Sequence, residues 1–158
     1  LVFPELQRFD ETKRSCLLFQ VLLEATMAHI KYGYTKKVNA TFGDALSQVA
    51  EELKNEGFGV LTEIDVTETF KKKLDLDFRP YRILGACNPE LASRALGSES
   101  EVGLLLPCNV VVQQSDKGEV TVSIADPKAM FTLVENPDVA GVAEEVDRRL
   151  RRVLEALS

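Results

Sequence analysis

A chain of 158 residues with 45% apolar and 28% charged residues has enough hydrophobic material to bury one ordinary core. Its 19 basic residues are outweighed by 25 acidic ones, and the net charge of −6 argues against non-specific binding along a nucleic-acid backbone. No run approaches the roughly 18 apolar residues of a membrane span. Cys16, Cys87 and Cys108 form neither a secreted disulfide framework nor a CxxC metal motif, which points to free thiols in a reducing cytoplasm.

Residues 1–26 differ from the remainder. The chain starts on Leu1, whereas Met27 opens a coherent strand pattern, so 1–26 reads as an extension ahead of a single domain at 27–158. Two other readings exist. One is an N-terminal helix with Cys16, Phe19, Leu22 and Leu23 at helical spacing. The other is a signal-peptide-like run, CLLFQVLLEA, which Gln20 and Glu24 interrupt and no small-residue cleavage site follows.

From His29 to Val38 the alternation of Ile30, Tyr32 and Tyr34 predicts a first strand, and Lys36 and Lys37 suit an exposed edge. Thr41 caps a helix to about Glu56, whose stripe is Ala45, Leu46, Val49, Ala50 and Leu53, and Gly57 stops it. Gly59 to Val66 is a second strand, with Glu63 and Asp65 on one face. A short helix follows, carrying Lys71, Lys72 and Lys73. Tyr81 to Cys87 is the third strand; Asn88-Pro89 then starts a helix with cap and first-turn proline in their usual places.

Cys108 to Gln114 and Glu119 to Ala125 flank the turn Ser115-Asp116-Lys117-Gly118 and read as an antiparallel hairpin. Met130 and Phe131 fall in a short irregular piece. A last helix begins at Asn136 or Asp138 and carries the seam Val139, Val142, Val146, Leu150, Val153 and Leu157. Its arginines, Arg148 to Arg152, suit the negative end of the helix dipole. One antiparallel sheet with both long helices on one face satisfies these stripes, a two-layer α+β fold.

The chemistry concentrates at two cysteines. If the third and fourth strands are antiparallel neighbours, Cys87 and Cys108 meet at one rim of the sheet, within possible disulfide reach. Cys87 precedes the helix cap Asn88, where unpaired N–H groups should lower a thiol's pKa. Met130 offers a third sulfur. Such a set suits redox exchange or a soft metal ion such as Cu(I), while the plain alternative is inert packing of small hydrophobic side chains. Glu63 and Asp65, with Lys73 nearby, could do acid–base work or hold a cation, or simply be solvated strand acids. His29 is isolated, and no complete catalytic set can be assembled, which favours binding over turnover.

Three stretches, GFGVLTEIDV (57–66), FRPYRILGACNP (78–89) and EVGLLLPCNVVV (101–112), closely resemble the bacterial and archaeal family called domain of unknown function 302. The likeness spans roughly residues 30–157. It implies a TATA-binding-protein-like α+β fold, β-α-β(4)-α, and a homodimer, with Cys87 and Cys108 falling on the family's GACNP and LLPC motifs. It implies no activity, and sharing a fold with a DNA-binding protein transfers none. Three readings follow from the sequence: a thiol-based domain binding a soft metal or small ligand or exchanging disulfides; a non-catalytic homodimeric binding module with structural cysteines; and, with least behind it, hydrolase or transferase chemistry using Glu63, Asp65 and Lys73.

Overall fold

The apolar stripe of residues 45–53 needs a surface to land on. The computed structural model, which describes residues 27–158, supplies a six-stranded antiparallel sheet. The strands are β1 (Met27–Ile30), β2 (Gly33–Val38), β3 (Gly59–Asp65), β4 (Tyr81–Cys87), β5 (Cys108–Gln114) and β6 (Val120–Ala125). They lie in the order β1-β2-β6-β5-β4-β3, so β2, early in the chain, is paired with β6, the last strand in sequence. The expectations for residues 1–26, including Cys16, the extension and the signal-like run, lie outside the described residues. Among the described residues no helix is long and apolar enough to cross a membrane.

The two long helices are α1 (Phe42–Asn55) and α5 (Pro137–Ala156); between them come α2 (Val66–Leu74), α3 (Pro89–Ser98) and α4 (Pro127–Phe131). Thr41 caps α1 by accepting the Asp44 N–H at 3.2 Å. Gly57 takes φ +81, the left-handed turn that lets β3 start back across the sheet. The helices share one face. Rows of residues run across the strands beneath them: Tyr34, Ile124, Val110 and Leu84 stand side by side, and Val122 beside Val112. Val49 and Leu53 from α1 and Leu150, Val153 and Leu154 from α5 close over these rows and are fully buried.

Two local expectations change. Residues 29–38 are not one strand but a hairpin, β1 turning at Lys31-Tyr32 into β2. Consequently β2 is interior, and its lysines do not guard an edge. Lys36 Nζ instead donates to the carbonyls of Glu155 (3.0 Å) and Leu157, the exposed acceptors at the end of α5. The arginine cluster likewise joins elements rather than only answering a dipole. Arg152 grips Glu56 at the end of α1 through two bonds of 2.8 and 2.6 Å, and Arg149 reaches the Glu56 carbonyl. The irregular piece at Met130 and Phe131 is helix α4, capped by Asp126.

Candidate functional site

Register decides where the cysteines go. Ala86 on β4 pairs with Cys108 on β5, which leaves Cys87 one step beyond the pair. Both thiols are free and line one cavity of about 20 Å3, walled by Phe58, Leu91, Leu106 and Phe131. That volume holds about one water molecule and excludes an organic ligand. Gly85, the glycine of the GAC motif, is required by crowding: a Cβ there would collide with Thr62 Oγ1 and stand 2.7 Å from Pro107 Cγ. The two cysteines thus border the same cavity at one end of the sheet.

Their electrostatics run opposite to expectation. Burial pushes the Cys87 thiol up, and burial followed by the neighbouring Cys87 pushes Cys108 up to about 11. The start of α3 does not lower either: burial dominates, and one of the helix's first N–H groups, that of Leu91, is already taken by Asn88 Oδ1 at 3.0 Å. Asn88 itself is buried, its amide packed so close that a Cβ on Gly57 would lie 2.9 Å from Nδ2. Met130 is not part of this corner. It is a half-buried residue of α4 packed against the core, and its neighbour Phe131 takes the cavity wall.

The acidic pair has a structural task. Glu63 stands in the same row as Leu84 and Asp65 beside Arg82, on the edge strand of the sheet. Arg82 binds both, at 2.9 Å to Glu63 and closely to Asp65. Asp65 also caps α2 by accepting the Glu68 N–H at 2.8 Å. Lys73 pairs with neither acid; Lys72 binds Glu68, and Lys71 binds Asp75 and Asp77. Among the described residues no three His, Cys, Asp or Glu side chains converge as a metal site.

The richest polar cluster escaped the sequence reading. Tyr34 on β2 donates its buried hydroxyl to Asp147 of α5 at 2.8 Å and accepts from Arg151 at 2.7 Å. Lys128 of α4 and Arg151 both reach Asp147 at 3.2 Å. His29 stacks on the Tyr34 ring at 5.1 Å and faces Asp126 at 3.5 Å. Burial, then the Asp147 bond, pushes the Tyr34 hydroxyl far above its ordinary pKa despite Arg151. Burial works against the Asp126 carboxylate, but the Ala129 N–H, Tyr34 and His29 outweigh it and hold its pKa below the usual range. The signal for this cluster was Asp147, the one acid inside the apolar seam of α5, four residues before Arg151.

Comparison with known proteins follows the same lines. The family model for the domain of unknown function DUF302 matches residues 34–157. The crystal structure of an uncharacterized conserved DUF302 protein from Bacillus stearothermophilus is similar at 34% identity and a TM-score of 0.74. That likeness covers 80% of this chain and 98% of the other. No curated protein matches.

Proposed function

Since the chain belongs to the DUF302 family, whose function is unassigned, we propose from its site geometry that it is a non-catalytic homodimeric binding module with structural cysteines. The observation that carries this reading is the bare edge of β3. Among the described residues β3 pairs on one side only, and Leu61 (65% exposed) and Ile64 (49%) stand in solvent with Leu74 and Leu76 nearby. Proteins ordinarily protect such an edge with charge or a bulge. Here Arg82 offsets one of the two acid charges of β3 and the strand's irregularity is confined to Val60–Thr62, while the opposite edge, β1, is only four residues long. A second copy laid antiparallel across a two-fold axis gives each β3 its missing partners.

The cysteines fit this role as small buried side chains, since neutral thiols neither attack nor exchange readily. Free thiols suit a reducing compartment such as the cytoplasm. Sedimentation of the protein at tens of micromolar tests the assembly. A dimer is expected, with Leu61→Lys combined with Ile64→Lys giving a folded monomer. A monomeric parent protein refutes it.

One observation favours a second reading. Cys87 and Cys108 share a cavity, and two thiolates there could hold a soft ion such as Cu(I) without Met130. Binding would release both thiol protons against the raised pKa values. Titrating the reduced protein with Cu(I) decides it: one equivalent bound by the parent and lost in Cys87→Ser supports the site, and no retention ends it.

A further inference from the structure

On the β1–β2 side of the sheet a cavity of about 290 Å3 is lined, among the described residues, by Met27, Ala28, His29, Tyr34 and Arg151. That is close to the lower bound of ordinary small-molecule sites, roughly 300 Å3. Its polar lining comes from three elements, His29 from β1, Tyr34 from β2 and Arg151 from α5, and is held from outside the cavity by Asp126 on His29 and by Asp147, with Lys128, on Tyr34 and Arg151. Pinning β2 to α5 would need none of this, because hydrocarbon of similar volume does so without the cost of burying charge.

The inventory favours an anion. Asp126 and Asp147 are balanced by Lys128 and Arg151, so protonation of His29 leaves one excess positive charge at the cavity. Arg151 spends its Nε–H on Asp147 and one terminal N–H on Tyr34 among the described residues, leaving three of the guanidinium's five donors. Its side chain is 41% exposed and forms part of the cavity wall, whereas Asp147 behind it is nearly sealed. Among the described residues, Asp126 faces His29 directly and Arg151 shares its cavity, while Lys36, opposite Met27, and Glu155 beside it offset each other.

We infer that this cavity binds a small organic carboxylate, its charged end between Arg151 and His29 and its carbon body against Met27. A single carboxylate matches the single excess charge, and its planar pair of oxygens matches the guanidinium fork. The site is separate from the β3 edge and from the thiol corner, and it does not depend on either.

His29 is the one histidine of the chain, so its ring signals report on the cavity without ambiguity. Benzoate titrated into the full-length protein near pH 6 should move those signals saturably, while chloride at equal ionic strength should not. Benzoate should bind at least about threefold more weakly near pH 8 than near pH 6, as the histidine charge is lost. Arg151→Lys keeps a charge for Asp147 but loses the fork and should weaken binding at least about threefold. Met27→Trp, on the same strand face as His29, should fill the space and abolish binding. No saturable shift, an equal response to chloride, or unchanged affinity in both variants overturns the inference.

Discussion

Consider what alkaline pH does to Cys108. Burial and the adjacent Cys87 raise this thiol from an ordinary 9.0 to about 11 in the folded chain. A group that holds its proton more tightly when folded stabilises the fold fully below its unfolded pKa. That stabilisation disappears as the pH climbs through the folded value, here between about 9 and about 11. A displacement of about two pH units is worth about 2.7 kcal/mol, a substantial part of the 5–15 kcal/mol by which domains are typically stable. Urea unfolding of the reduced protein, repeated at intervals from about pH 8 to about pH 11, measures it. Lysines and tyrosines titrate in the same window, so the quantity to read is the gap between the parent and Cys108→Ala. The parent should start ahead, because the substitution leaves a small void in the core. Its lead should then shrink by about 2–3 kcal/mol as the pH rises. A lead that stays constant to the end of the range would mean burial does not hold this thiol neutral, and the case for structural cysteines would fall.

Tyr34→Phe removes a hydroxyl that both donates to Asp147 and accepts from Arg151. Loss of bonds to charged partners in a buried setting should cost about 2 kcal/mol, seen by calorimetry as a fall in Tm of about 4–8 °C. An unchanged melt would show that Lys128 and Arg151 satisfy Asp147 without the phenol. Gly57→Ala should lose about 1–2 kcal/mol, since a side chain at φ +81 is strained and its Cβ would press on Asn88. Gly141→Ala, in open space inside α5, should gain about 0.5–1 kcal/mol, and equal signs for the two glycines would defeat the explanation.

Local rules made most of the architecture legible. Thr41, Asn88-Pro89 and Asn136 announce helix starts that the fold uses, and the parity of Val120, Val122 and Ile124 names the inward face of β6. Antiparallel pairing of the third and fourth strands as read from sequence was enough to put Cys87 and Cys108 on one cavity. The hairpin at 27–38 was hidden because its turn, Lys31-Tyr32-Gly33, lacks the Asn-Gly or Asp-Gly signature and sits within an unbroken alternation. Thiol acidity was misjudged for a different reason. The pull of a helix start was weighed without the burial of the thiols in an apolar corner, and burial wins there. The Tyr34–Asp147–Arg151 cluster could not be read at all from one window, since its members are joined across 113 and 117 residues.

That long reach also governs when the structure can form. Thr35 of β2 meets its partners on β6 only 87 and 88 residues later, and the phenol of Tyr34 waits for α5. Closing such a span costs chain entropy before any contact repays it, so assembly is slow for a domain of this size. During synthesis the first hairpin and α1 leave the ribosome long before β6 and α5 do, with their apolar face open to other chains. The half-made polypeptide is therefore at its most vulnerable to aggregation over that interval, and it is the arrival of the final helix that ends it.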